Sequence, residues 1–243
     1  MFRIVLCVMT LTVSVVGWAH EIPRMKDGRP DLRGIWQTIS SAVWNIEDHP
    51  AELGIPAGHG NIDTGKLPYR EDAIQKRKEN FSNRLTEDPE AKCFMVGVPR
   101  ITYMPYPFQI MQTNNQVTIL YEYIHTFRNI YLDSDHPPGP IQWWMGDSRA
   151  HWEGDTLVVD VIHFTDQTWF DRSGNYHSED LHVTERYTLS GPDHILYAAT
   201  IEDPKIYSEP WTVRMPLYRR KEDHAQILEY ECYAYMEMTQ TNE

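Results

Sequence analysis

Three histidines and one glutamate lie in or beside apolar, β-branched stretches of the second half of the sequence, at His125, His163, His177 and Glu185. Burial raises the pKa of a carboxyl group and lowers that of an imidazole, so a cavity that holds both offers a proton donor and a proton acceptor near neutral pH. We therefore hypothesise that His125 and His177 act as general acid and base, with Glu185 as their partner. The alternative for each histidine is a structural role with a backbone or carboxylate hydrogen-bond partner.

Aromatic and polar side chains near these positions predict where a ligand would be held. Asp166 and Trp169 belong to a loop over 164–174 that follows a predicted strand, and such loops commonly carry binding groups. Tyr121 shares a strand with His125, and His163 ends another strand. We expect Tyr121, His163, Asp166 and Trp169 to contact a substrate, with an Asx turn as the alternative role of Asp166.

A metal site is the other chemistry that histidine and glutamate could support. The sequence has no His-Glu-x-x-His motif and no close His-x-His pair, and its histidines fall on different predicted strands. We predict no cofactor and no metal ligands, although a divalent metal ion held between strands stays open as a second hypothesis.

Strand alternation predicts which of these side chains face inward, because successive residues of a strand point to opposite sides of the sheet. His182 lies on the side of its strand that is predicted to face outward. The faces predicted to point inward carry Tyr121 and His125 on the strand over 117–127, His163 at the end of 157–163, and His177 and Glu185 on 177–187.

The elements that must position these residues are strands. Turn signals at Asn114-Asn115 and Gly154-Asp155 separate alternating stretches, and no glycine-rich phosphate loop or alternating helix interrupts them. We predict an all-β fold, an antiparallel meander closed into a barrel similar to the calycin (lipocalin-like) architecture. The predicted strands are a short one near 35–37 and then 108–113, 116–125, 127–132, 149–153, 156–164, 177–189, 194–202, 211–219 and 226–235.

The first part of the chain has a different character. Arg3, an apolar run over 4–16 and Gly17-Trp18-Ala19 are typical of a cleaved secretory signal peptide. The apolar run is shorter than the roughly 20 residues that span a bilayer, so no stable membrane insertion is predicted. An irregular arm follows, with a solvated surface helix over 69–84. The predicted organisation is a signal peptide over 1–19, the arm and helix over 20–97, and a β-barrel domain over 98–243.

Removal of the signal peptide would leave Cys93 and Cys232 as the remaining cysteines. In an oxidising compartment such a pair is a disulfide candidate, and two unpaired thiols are the alternative. We expect a secreted or periplasmic protein. Its 35 acidic against 22 basic residues give a net charge of -13, which disfavours a nucleic acid as partner.

Two segments carry a resemblance to known sequences: 146–160, which reads GDSRAHWEGDTLVVD, and 177–186, which reads HSEDLHVTER. With PDLRGIWQ at 30–37, they resemble a family of uncharacterised secreted bacterial proteins that share a GDSRxxWEGDTLVVD-type signature. The resemblance covers most of the mature chain. It implies no particular activity, and no catalytic residue is transferred from it.

The sequence therefore predicts a secreted β-barrel enzyme that acts on a small, partly apolar organic substrate, cyclic or sugar-derived, by His/Glu acid–base chemistry. The reaction could be that of a lyase, an isomerase or a hydrolase. A lipocalin-like binding protein without catalysis is the main alternative, and a structural envelope protein is the third. The predicted partner is a small molecule, and the oligomeric state is left open.

Overall fold

The computed structural model describes residues 21–52 and 54–233, and the predicted signal peptide lies outside these ranges. The chain forms a closed barrel in which nine strands follow one another in sequence order. The fold class is therefore as predicted. The strands are β1 Gly34–Thr38, β2 Phe108–Gln112, β3 Gln116–Tyr121, β4 Phe127–Leu132, β5 Asp147–Glu153, β6 Thr156–Ile162, β7 His182–Gly191, β8 His194–Glu202 and β9 Trp211–Arg219.

One strand pair departs from the predicted antiparallel meander. β4 and β5 run parallel, with Ile130 opposite Ser148, whereas the other neighbouring pairs are antiparallel and β1 closes the barrel against β9. A parallel pair cannot be joined by a tight turn, because the chain must first return to the end where the preceding strand began. The segment 133–146, which contains three prolines, makes this return.

The largest differences from the predicted strand limits concern three strands, and the limits of the others shift by at most two residues. β3 ends at Tyr121 because the chain turns over 122–126, where Ile124 and His125 adopt positive φ angles of 46° and 49°. β7 starts at His182, so 177–181 is not part of the strand. The described part of 226–235 forms no strand, and its Tyr230 makes one isolated bridge to Tyr123.

Inside the barrel the predicted strand faces are largely confirmed. Val117, Ile119 and Tyr121 of β3 are buried, and Val183, Glu185, Tyr187 and Leu189 of β7 are buried on one face while His182 and Arg186 are not. On β6 the buried face carries Leu157, Val159 and Val161, as predicted. Burial of these apolar side chains is the main favourable contribution to the stability of the barrel.

The arm and the helix pack on the barrel and share its hydrophobic core. Leu32, Ala42 and Ile46 of the arm are fully buried in the same cluster as the strand residues. The predicted helix is present as a short 3-10 turn, Glu71–Ala73, that continues into α1, Ile74–Glu87.

A disulfide joins Cys93, in the segment after α1, to Cys232, with 5.5 Å between the Cα atoms. The predicted pairing is therefore confirmed, and it closes a loop with a sequence separation of 139 residues. Among the described residues, none of the helices has the length and apolar character needed to cross a membrane.

Candidate functional site

Glu185 lies inside the barrel and is completely buried. Its Oε2 accepts a hydrogen bond of 2.5 Å from Nη2 of Arg128, and its Oε1 accepts hydrogen bonds from the hydroxyls of Tyr187 (2.9 Å) and Tyr197 (2.8 Å). Nε of Arg128 also donates to Oγ of Ser148 at 2.9 Å. Strand alternation brings these side chains together, since each one belongs to the inward face of its strand.

The interior cluster is well suited to holding a buried charge pair. Burial lowers the pKa of Arg128, but the negative charge of Glu185 outweighs this effect and the pKa is raised overall. Burial also raises the pKa of Tyr187, Tyr197 and the neighbouring Tyr121. The arginine therefore stays charged and the tyrosines stay neutral, so the hydrogen bonds around Glu185 have fixed donors.

One small gap lies inside the barrel beside Tyr187. The gap lined by Leu32, Ile110, Ile119 and Tyr187 is too small to hold a water molecule. Glu185 is completely buried and Tyr121 is 3% exposed, so both side chains are placed to stabilise the barrel.

His177 is buried in a different environment, outside the strands. Its Nδ1 lies 2.8 Å from the carbonyl oxygen of Ser178, and its Nε2 lies 2.7 Å from Oγ1 of Thr168. The rings of Phe164 and Phe170 pack against it, and burial lowers its pKa. Nδ1 is the nitrogen that carries the proton, because only a donor can pair with a carbonyl oxygen. Both ring nitrogens are satisfied within the protein.

His125 lies on the turn after β3, and its side chain is 43% exposed. Its Nε2 is 2.8 Å from Oε1 of Glu231. The prediction that His125 faces the interior is wrong because the strand ends before it and the turn reverses the alternation. Glu185 is buried inside the barrel, His177 is buried outside the strands, and His125 is 43% exposed on a turn, so the three side chains occupy different environments.

A chain of hydrogen bonds on the outer surface of the barrel brings together side chains that the sequence analysis did not group. Nε2 of His182 lies 2.5 Å from Oδ1 of Asp160, whose Oδ2 lies 2.8 Å from Nε2 of His136. Nδ1 of His136 lies 2.6 Å from Oδ2 of Asp147, which also accepts a hydrogen bond of 2.7 Å from Nε of Arg149. We refer to these five residues as the His/Asp chain.

The strand register explains how the His/Asp chain is assembled. Arg149 of β5 is opposite Asp160 of β6, and Asp160 is opposite Thr184 of β7, two residues beyond His182. These strand residues point outward and therefore lie side by side across three adjacent strands. His136 comes from the segment 133–146, which the parallel pairing of β4 and β5 requires, and it bridges the two aspartates.

The charges in the chain support one another. The hydrogen bond to Asp160 raises the pKa of His182, and the same hydrogen bond lowers the pKa of Asp160. For Asp147, burial pushes the pKa upward, but hydrogen bonds from Arg149 and His136 outweigh it and lower the pKa. Both carboxylates therefore stay ionised, and that of Asp160 stabilises the protonated form of His182.

The His/Asp chain reaches a surface pocket of about 300 Å³ at its His182 end. Besides His182, the pocket is lined by the polar side chains of Gln142, His163, Glu179 and Asp180 and by the apolar side chains of Pro140, Ile162 and Leu181. His163 follows β6 with a positive φ of 63°, and its ring lies 6.1 Å from that of His136. The predicted inward orientation of His163 is wrong, because the positive φ turns the chain after β6 and leaves the side chain at this pocket.

The other two predicted ligand contacts lie in a second pocket, of about 320 Å³, between α1 and the loop over 164–176. Asp166 is exposed there, and its Oδ1 accepts a hydrogen bond from Nε2 of Gln167. Trp169 is 9% exposed and forms part of the wall. The four predicted binding residues are thus divided among the barrel interior, the first pocket and the second pocket.

Sequence reasoning missed His136, Asp147 and Asp160. The available signal was the outward position of Asp160 and His182 on adjacent predicted strands, but nothing in the sequence around His136 indicates that it bridges them. Within residues 21–52 and 54–233, no group of three or more His, Cys, Asp or Glu side chains is arranged to hold a metal ion. Comparisons with family models, with curated proteins and with solved structures found no match for this chain.

Proposed function

We propose that the protein is an enzyme that moves protons to and from a small, partly apolar organic molecule bound beside His163 and His182. The observation that carries this proposal is the unbroken hydrogen-bonded chain from Asp147 through His136 and Asp160 to His182, whose His182 end lines a pocket of about 300 Å³. This volume is at the lower end of small-molecule sites, so the substrate is small.

The chemistry follows from the pairing of His182 with Asp160. A carboxylate on one ring nitrogen holds the imidazole in a single orientation and stabilises its protonated form, which leaves Nδ1 to exchange a proton with a substrate. His163, on the same pocket wall, supplies a second imidazole, and Asp180 supplies a carboxylate. Such a set suits a lyase, isomerase or hydrolase reaction in which one group takes a proton and another returns it.

A lipocalin-like carrier is less well supported. A carrier of that type holds its ligand in the mouth or interior of the barrel, whereas the interior here contains a neutralised ion pair and large aromatic side chains. We also propose that the protein works in an oxidising compartment, outside the cytoplasm, and the Cys93–Cys232 disulfide supports this location.

The proposal is tested with 5-nitrobenzisoxazole, a small cyclic probe of general bases. A base removes the carbon-bound proton, the N–O bond breaks, and its electron pair remains on oxygen as a coloured cyanophenolate. We expect the full mature protein to accelerate this reaction and His182→Gln to be slower by a factor on the order of 100. Asp160→Asn should shift the rising limb of the pH–rate profile to lower pH, because it removes the hydrogen bond that raises the pKa of His182.

The matched control is His194→Gln, which replaces an exposed histidine on β8 whose ring contacts Tyr218. This variant should keep the wild-type rate. If His182→Gln is folded and as fast as the wild type, or if both histidine variants lose the same activity, the site is wrongly assigned.

A further inference from the structure

The pocket between α1 and the loop over 164–176 combines aromatic walls with many polar groups. Its aromatic side chains are Phe94, Trp144, Trp169 and Tyr176, and α1 contributes lysine, glutamate and asparagine side chains. Aromatic faces that pack on a ring, surrounded by groups that donate and accept hydrogen bonds, are the chemistry that recognises a sugar. We propose that this pocket, the α1 groove, binds a neutral mono- or disaccharide.

The aromatic side chains of the α1 groove are partly open to solvent. Phe94 is 42% exposed, and its ring makes an edge-to-face contact with that of Trp144 at 5.4 Å between centroids. Trp169 is 9% exposed and lines the same pocket. An aromatic pair that is partly open to solvent, beside a largely buried tryptophan, offers a stacking face, and the polar side chains of the lining offer hydrogen bonds.

The charges of the groove favour a neutral ligand over an anion. Its lining contains the lysines Lys76 and Lys92 against the acidic residues Glu79, Glu87 and Asp166. Lys92 is already paired with Glu87 at 2.7 Å, so its ammonium group is not free to attract an anion. A phosphate or a uronate would therefore meet a slight excess of negative charge, whereas hydroxyl groups can donate to the carboxylates and accept from the amides.

The walls of the groove are held in place before any ligand arrives. Nδ2 of Asn80 on α1 donates to the carbonyl oxygen of Gly174 at 3.2 Å, and the hydroxyl of Tyr176 donates to the carbonyl oxygen of Ala73 at 3.0 Å. The residue before Phe94 is Cys93, which the disulfide fixes to Cys232. A preformed groove loses little conformational entropy on binding, which suits a small ligand that makes few contacts.

The experiment is a titration of the mature protein with cellobiose, maltose and diacetylchitobiose, followed by the indole N–H signals in ¹H–¹⁵N spectra. We expect at least one of them to shift the signals of Trp144 and Trp169 with a millimolar dissociation constant. Phe94→Ala and Trp144→Ala should weaken that binding by roughly five- to ten-fold. The matched control Phe127→Ala, which removes a 62% exposed aromatic ring from the outer surface of β4, should bind as the wild type does.

Two results would overturn the inference. One is the absence of any shift with all three disaccharides up to about 10 mM, roughly ten times a millimolar dissociation constant. The other is a shift with digalacturonate only, which would mean that the groove selects an anion. The inference is independent of the acid–base proposal, since His182→Gln should keep the sugar-induced shifts even where it loses proton-transfer activity.

Discussion

Replacement of Glu185 by glutamine removes one charge from the barrel interior and leaves the shape of the side chain almost unchanged. The amide oxygen can still accept hydrogen bonds from Tyr187 and Tyr197, but the amide nitrogen then faces the guanidinium of Arg128, donor against donor. Arg128 is 3% exposed, so its charge has almost no access to water. Loss of one partner of a buried ion pair costs about 3–5 kcal/mol, and we expect Glu185→Gln to reduce the free energy of unfolding by that amount.

This loss is large against the 5–15 kcal/mol that is typical of whole proteins. Equilibrium unfolding in urea at pH 7, followed by tryptophan fluorescence with the disulfide intact, measures it directly, and an unchanged m-value would show that the unfolding transition is comparable. The reasoning is falsified if the loss is below about 1 kcal/mol, since the guanidinium would then be satisfied by other groups.

Arg128→Met is the reciprocal variant and separates the effect of charge from that of packing. It leaves the carboxylate of Glu185 buried with only the two tyrosine hydroxyls as donors, and a carboxylate can be neutralised by a proton whereas a guanidinium cannot. Arg128→Met should therefore regain stability as the pH falls below neutral, whereas Glu185→Gln should show no such recovery. Equal pH dependence of the two variants would argue against a charge effect.

Two further predictions concern the outer surface and the α1 groove. His182 has a raised pKa and Asp160 a lowered one, so their hydrogen bond should contribute most to the free energy of unfolding between about pH 4 and 6.5. Below this window the contribution is lost because Asp160 takes up a proton, and above it because His182 loses one. The pair is partly exposed, so the difference between wild type and Asp160→Asn in pH-dependent urea unfolding should not exceed about 1 kcal/mol, and a maximum outside the window would contradict the assignment. Gly174→Ala should destabilise the protein by at least about 1 kcal/mol more than Gly28→Ala. Both glycines have a positive φ, of 80° and 87°, so the backbone strain is similar. A Cβ at Gly174 would lie 2.7 Å from the Cβ of Asn80, whereas a Cβ at Gly28 would have no atom within 4 Å. Thermal unfolding of the two variants makes the comparison, and equal losses would show that the contact with the helix relaxes freely.

The barrel could be predicted because its strands depend on local alternation. Glu185 was correctly placed inside from the pattern of β7 alone, and Cys93 and Cys232 were correctly paired from their number and the expected compartment. Arg128 could not be assigned to Glu185, because the two residues are 57 positions apart and meet only through the closure and register of the barrel. His125 was misplaced because the alternating pattern of the sequence runs on past Tyr121, whereas in the structure the strand ends there and a turn of five residues follows.

The His/Asp chain depends on the one feature of the topology that alternation does not reveal. If β4 and β5 were antiparallel, a short turn could join them, and the chain would not carry His136 across the outer surface of β5 and β6. The parallel pairing of β4 and β5 requires the segment 133–146 to return along the barrel, and that return places His136 between Asp147 and Asp160. The strands fix the two carboxylates and His182 in register, while the crossover supplies the imidazole that connects the carboxylates. A substitution that lets 133–146 move should therefore affect proton transfer at His182 without disturbing the interior pair of Arg128 and Glu185.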